Sequence, residues 1–295
     1  MKKLFCLSLA VLLALPLLLA SCGGSQTAYG KEVLSLTSQL DALNGLKKGD
    51  ADITVIDSVM AGYYMNGTEQ FADYQILSGL VLAEEQYGIA AAKGNEALMS
   101  KINEALIALA DTDCKTVAEK YGLASELLVT KESTNPYANA TDDSWDKAVQ
   151  SGKLVVGYTL FAPIAYKDGD GADAALIGFD IDLAKAVVAY LNAKYNVTLE
   201  LEFDVIDWNQ KEALLQNGSI DLAWNGMTIT PTRQEEMTLS IPYLANKQVA
   251  VIAKKDATKY ACTDAASFAK VAKDAIIAVE AGSAGEEIVK GKQEG

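Results

Sequence analysis

Arg233 is the only arginine in a chain that otherwise draws its positive charge from lysine. A guanidinium offers a planar fork of donors that grips a carboxylate through two parallel hydrogen bonds, which a lysine ammonium cannot copy. One arginine among many lysines suggests a position held for geometry; the plainer reading is a solvated side chain in a helical first turn. The neighbours strengthen the first reading. Arg233 closes the segment Gly226-Met227-Thr228-Ile229-Thr230-Pro231-Thr232-Arg233. There Thr228 and Thr230 supply hydroxyls, Gly226 lets a ligand approach the backbone, and Pro231 suits the first position of a helix whose free N–H groups favour an anion.

A group of opposite sign stands at Asp57, after the apolar run Ile53 to Ile56. A cationic amine is its natural partner, and the same carboxylate can also serve as an N-cap for the helix that follows. Ser283, within Ala281-Gly282-Ser283-Ala284-Gly285-Glu286-Glu287, is placed to cap a helix and present N–H groups. Phe161, Tyr166 and Trp208 fall in loops after expected strands, where a ring face can hold a ligand side chain or simply pack. The chain has no histidine, which removes Ser-His and Cys-His nucleophilic machinery and the commonest metal ligand. The pattern reads as binding rather than catalysis, with no metal and no cofactor implied.

Alternating helices and buried strands must position these groups. Apolar residues repeat at three and four residues from Asn95 to Asp111 and from Asp180 to Tyr195, which predicts two helices. Short β-branched apolar runs at Ile53 to Ile56, Leu154 to Val156, Leu222 to Trp224, Val249 to Ala253 and Ile276 to Val279 read as buried parallel strands. The fold class is therefore α/β, with helices on both faces of mixed, mostly parallel sheets. One local pattern occurs twice, as Leu46-Lys47-Lys48-Gly49-Asp50-Ala51-Asp52-Ile53 and as Leu215-Gln216-Asn217-Gly218-Ser219-Ile220-Asp221-Leu222. Each is a helix end, a glycine stop and a strand entry, and two copies suggest two lobes of similar build. Five residues past the entry aspartates lie Asp57 and Gly226, near the carboxyl ends of strands, where open α/β sheets place ligands.

Lys2 and Lys3, then an apolar run from Leu4 to Ala20, then Leu19-Ala20-Ser21-Cys22 form a secretion signal with a lipobox. Residues 1–21 would be removed and Cys22 lipidated, tethering the protein outside the cytoplasm; an uncleaved N-terminal anchor would place it on the same side. No later stretch is long and apolar enough to span a bilayer. The formal charge of −14 makes nucleic acid a poor partner. Cys114 and Cys262 are far apart, without metal-type spacing, and support a disulfide only weakly.

Taken together, these residues resemble the type 3 bacterial extracellular solute-binding proteins that serve polar amino acid importers. The first-lobe signature is carried by Lys153-Leu154-Val155-Val156-Gly157, by Ile177-Gly178-Phe179-Asp180-Ile181-Asp182-Leu183-Ala184, by Asp207-Trp208 and by the Gly226 to Arg233 segment. The part that follows later in that family resembles Gly49 to Tyr64, Tyr87-Gly88-Ile89-Ala90 and Asn95 to Gly122, and here it comes first. The resemblance therefore implies a two-lobe periplasmic-binding-protein fold of type II in circularly permuted order; a fragment of tandem copies is the rival account. It divides the chain into 22–86 as the first segment of lobe two, 87–244 as lobe one, with 130–143 linking the family's usual ends, and 245–295 as the rest of lobe two. Crossovers are expected near Gln86 and Ala245. By the same resemblance, Arg233 and Thr228 would take a ligand α-carboxylate, Gly226 and Asp57 its α-amine, Phe161 and Trp208 its side chain, and Ser283 would add a contact from the second lobe. The implied function is capture of a polar amino acid and delivery to an ABC transporter permease by a lipid-anchored monomer. A dehydratase-like enzyme of the same fold and a ligand-binding sensor are the alternatives.

Overall fold

The computed structural model describes residues 27–169, 171 and 173–292; the signal segment and Cys22 lie outside the described residues. Among the described residues the strands are β1 (Glu32–Leu36), β2 (Ile53–Asp57), β3 (Tyr74–Ile76), β4 (Ala83–Ala92), β5 (Lys153–Tyr158), β6 (Tyr166–Asp168), β7 (Ala175–Ile177), β8 (Glu200–Val205), β9 (Leu222–Thr228), β10 (Met237–Leu239), β11 (Leu244–Ala253) and β12 (Ile276–Glu280). The α-helices are α1 (Gln39–Lys48), α2 (Ser58–Gly67), α3 (Glu96–Leu109), α4 (Lys115–Lys120), α5 (Ser144–Ser151), α6 (Phe179–Tyr195), α7 (Lys211–Gln216), α8 (Pro231–Glu236), α9 (Ala265–Ala272) and α10 (Ala284–Val289). No helix among the described residues is long and apolar enough to cross a membrane. Cys114 and Cys262 are both free thiols.

Ten strands form one mixed sheet in the order β1-β12-β2-β11-β4-β9-β5-β8, with β10 on β4 and β3 on β11; β6 and β7 form a separate hairpin. Parallel ladders join β1, β12 and β2 at one end and β9, β5 and β8 at the other. Between these halves run two long strands, β4 and β11, antiparallel to each other and to their outer neighbours. Alternate residues enter different cores, as a period of two requires. Ile53 and Val55 of β2, and Ile277 and Val279 of β12, fill a core confined to the first half. Val155 and Ala223 fill one confined to the second. Ile56, Ala278, Leu154, Val156, Leu222 and Trp224 enter a third core that runs under both halves. Apolar cover on both faces confirms the α/β class.

The expected strands are all present, but the run Val249 to Ala253, expected as a parallel strand, lies antiparallel to β2, β3 and β4, and β11 is twice as long as that run. Its first half, Leu244-Ala245-Asn246-Lys247-Gln248, pairs with the equally polar start of β4: Ala245 lies opposite Gln86, Asn246 opposite Glu85 and Lys247 opposite Glu84. The polar ladder hides both strands from a hydrophobicity pattern. β8, an outer strand reading Glu-Leu-Glu-Phe-Asp-Val with charged residues turned outward, escapes it for a similar reason. The α3 helix stops at Leu109, and a π turn over Ala110–Cys114 leads into α4.

The twice-used pattern has a common structural content. Gly49 and Gly218 take left-handed conformations, with φ of 84° and 75°, and end α1 and α7. The aspartate at each strand entry then reaches sideways to a neighbouring parallel strand: Asp52 Oδ2 accepts from Ile276 N at 2.9 Å and Asp221 Oδ2 from Val155 N at 2.8 Å. Hydrogen bonds to a charged acceptor are the stronger kind. Replacing either aspartate by Ala is expected to lower unfolding stability by about 1–2 kcal/mol, measured by urea denaturation; an unchanged midpoint in both variants would remove the strand-clamping role.

Candidate functional site

Five of the sequence-selected residues meet at the boundary of the two halves. Asp57 ends β2, Gly226 and Thr228 lie in β9, Arg233 occupies the first turns of α8, and Ser283 caps α10 after β12. Together with Trp208, in the short 3-10 turn before α7, they line one cleft. The parallel strands of both halves run into it with their carboxyl ends, which is what places polar loop and cap groups there.

Local chemistry fixes each side chain. Pro231 opens α8 and Thr230 caps it, accepting from Arg233 N at 3.2 Å. This turns the guanidinium back along β9, where Nη1 donates to Thr228 O at 3.0 Å. Ser283 Oγ accepts from Glu286 N at 3.1 Å. Asp57 stands at the N-cap of α2 without using its carboxylate as a cap. Instead that carboxylate accepts from the side-chain amides of Gln39, Asn246 and Gln248, the last at 2.7 Å. Gly226 has φ of +65°, and its N–H donates to Asp180 Oδ2 at 2.8 Å. A Cβ on it would sit 2.8 Å from Phe161 and 3.0 Å from Tyr87. Phe161 is thus packed behind Gly226 in the shared core and does not border the cleft, which departs from the expectation that it faces a ligand.

The structure adds residues that the sequence did not single out. Gln39, Asn225, Glu280 and Ala284 complete the lining. Lys211 is only 2% exposed; its Nζ donates to Gly282 O at 3.0 Å and stands 5.3 Å from the Trp208 ring centre. Arg233 Nη2 donates to the same Gly282 carbonyl at 3.3 Å and to Glu287 Oε1 at 3.2 Å. Two cations of one half therefore hold the backbone of the other, and the cleft encloses about 10 Å³, room for about one water molecule. A signal for Glu280 was present in the sequence: like Asp57 it is the first polar residue after an apolar strand run. Gln39 and Lys211 carried none, being ordinary helix-start residues until the fold buries them.

Burial dominates the electrostatics. Desolvation pushes the Asp57 carboxyl up to about 6 despite its amide partners and Arg233. Desolvation together with the Asp57 charge pushes Glu85 up to about 7 and Glu280 up to about 8. Asp180, buried between Tyr243 and Gly226, rises to about 7 for the same leading reason. Lys211 is lowered, first by burial and then by Arg233. The site therefore holds both signs of charge out of water, at a cost that matched partners reduce.

Comparison with known proteins bears on what such a site serves. Residues 154–291 match the family model described as bacterial extracellular solute-binding proteins, family 3. Over 144 residues the chain is 26% identical to the probable ABC transporter extracellular-binding protein YckB of Bacillus subtilis, covering 48% of each chain. Over 134 residues it is 32% identical to the arginine-binding extracellular protein ArtP of the same organism, covering 44% of this chain and 48% of that one. A shorter stretch of 106 residues, 36% of each chain, is 30% identical to the cyclohexadienyl dehydratase of Pseudomonas aeruginosa. The chain spans about half the length of the curated relatives it matches.

Two outcomes follow from the geometry. Gly226→Ala should destabilise the fold by about 2–3 kcal/mol, because φ of +65° disfavours a side chain and the new methyl meets Phe161 and Tyr87; a thermal melt within a degree of the parent would contradict this. The raised carboxyls also set a pH dependence. In the folded state they keep protons that an unfolded chain has released, so their stabilisation is complete below about 4 and is lost as pH rises through about 6 to 8. Urea midpoints should fall between pH 5.5 and pH 8.5, by about 1–3 kcal/mol in unfolding free energy, and Glu280→Gln should flatten the slope. A midpoint that climbs over this range would show that these groups are not protonated in the fold.

Proposed function

We propose that this chain, whose residues 154–291 match the bacterial extracellular solute-binding proteins of family 3, is a member of that family that captures a polar amino acid between its two halves and delivers it to an ABC importer. One observation carries the reading. Arg233, 3% exposed, and Asp57, 4% exposed, present buried charges of opposite sign from the two halves of the sheet to one cleft. An α-amino acid is a zwitterion and supplies the complement to both. Arg233 and Thr228 take its carboxylate, Asp57 and the Gly226 backbone its amine, Trp208 flanks its side chain, and Ser283 adds a contact from the far half. Phe161 acts from behind by shaping Gly226.

Ligand binding favours closure only through contacts that exist when both halves engage it at once. In this reading β4 and β11 are the hinge, the lobes comprise 87–244 on one side and 22–86 with 245–295 on the other, and the carboxylate displaces the Gly282 carbonyl from Arg233. A permuted order is part of the proposal. Its support is that residues before 154 complete what the matched segment leaves unfinished: β1 and β2 flank β12, and β4 enters between β11 and β9. Lipidation at Cys22 would hold the protein at the outer face of the membrane as a monomer. The relatives matched over the longest stretches bear names of binding proteins, and no reaction is assigned to this chain.

A thermal-shift screen of the chain against the common amino acids, followed by calorimetry, tests the reading, since a ligand that binds only the folded state raises its melting temperature. Arg233→Ala should abolish that shift while the protein still melts cooperatively, because leaving a buried ligand carboxylate unpaired costs on the order of 3–5 kcal/mol. Retained affinity in the variant would refute the assignment.

A further inference from the structure

An amino acid's α-carboxylate and α-amine answer Arg233 and Asp57, but the cleft holds another buried carboxyl group that neither meets, one that a cation arriving beside it would hold in its charged form. Glu280 ends β12, is 4% exposed and borders the cleft beside Asp57 and Ser283. Its Oε1 is buried without a hydrogen-bond partner among the described residues. The cations nearby are committed elsewhere. Arg233 donates to Thr228, Gly282 and Glu287, and Lys211 donates to Trp208 O and Gly282 O while pairing with Glu212 at 2.9 Å. Glu85 also leaves one oxygen unpartnered, but its Oε2 accepts from Thr228, Asn246 and Gln248, and it stands behind the lining. Of Glu85 and Glu280, Glu280 is the one that lines the cleft, beside the Thr159 and Gln39 side chains, and a buried carboxyl oxygen left without a partner is costly unless something arrives to pair it.

We propose that Glu280 selects the ligand by its side chain, so that the cleft takes an amino acid carrying a second positive charge, an ammonium, guanidinium or imidazolium, which Glu280 receives as the halves close. This rests on the amino acid reading given above and narrows it. An acidic side chain would bring a further carboxylate against Asp57 and Glu280, and like charges at close range exclude it. A carboxamide can hydrogen-bond to Glu280 but brings no charge that would stabilise its carboxylate form. Because Glu280 belongs to the half opposite Arg233, a cationic side chain also adds a contact that exists only in the closed state, which strengthens closure for the selected ligand.

Calorimetry of the full chain with L-arginine, L-lysine, L-histidine, L-glutamine and L-glutamate, repeated on Glu280→Gln, decides the matter. The parent should bind at least one of the three cationic amino acids about 30-fold or more tightly than glutamine or glutamate, and Glu280→Gln should lose about 30-fold for that ligand while its glutamine affinity stays within about threefold. A cooperative melt of the variant establishes that it folds. A parent that prefers glutamine or glutamate overturns the proposal and leaves the amino acid reading standing. Equal losses for cationic and neutral amino acids also overturn it, by showing that Glu280 serves the shared α-amine or the scaffold. No binding of any amino acid to the parent overturns the amino acid reading and this one with it.

Discussion

The buried carboxylate of Asp57 is the constraint around which the rest is arranged. A charge taken out of water must be given donors, and this one receives three side-chain amides: Gln39 from α1, and Asn246 and Gln248 from the polar half of β11. Those amides come from elements far apart in the chain, so satisfying one carboxylate fixes the helix before β2, the strand end itself and the long central strand relative to one another. Amides stabilise the charge without cancelling it. The site therefore keeps a net attraction for a cation while remaining compatible with a folded interior.

Across the cleft the opposite problem is solved differently. Arg233 and Lys211 are held by carbonyl oxygens and by the partly exposed carboxylates Glu287 and Glu212. Carbonyls satisfy donors but carry no full charge, so a carboxylate at the same place would bind these cations more strongly. The Gly282 carbonyl is shared by both cations and belongs to the other half. This contact joins the two halves across the cleft.

The two central strands carry a polar ladder at the boundary of the halves. Where β4 and β11 pair, Glu84, Glu85, Gln86, Asn246, Lys247 and Gln248 follow the buried apolar pair Leu244 and Tyr87. Beyond that ladder each strand dives into an apolar core of its own half, Ala250 and Ile252 on one side and Ala90 on the other. Polar pairing in the middle and apolar packing at the ends place the most polar part of the two strands at the boundary. One apolar core runs under both halves.

The sequence by itself determined the α/β class and the repeated helix-stop-strand unit. Apolar period and glycine conformation are local properties that no tertiary contact needs to supply. It also marked the segment from Gly226 to Arg233, Asp57 and Ser283 as chemistry-bearing, because the lone arginine, the positioned proline and the strand-end carboxylate are visible in one dimension. Tertiary structure decided that they share one cleft, since Asp57 and Arg233 meet only when strands from distant parts of the chain pair. It alone withdrew Phe161 to a position behind Gly226, lengthened β11 through its polar half, and made Gln39, Lys211 and Glu280 part of the site. Gln39 and Lys211 are unremarkable as letters, and Glu280 is marked only by its place at the end of an apolar run. Their meaning comes from desolvation, and desolvation is a property of the folded surroundings that a sequence pattern does not contain.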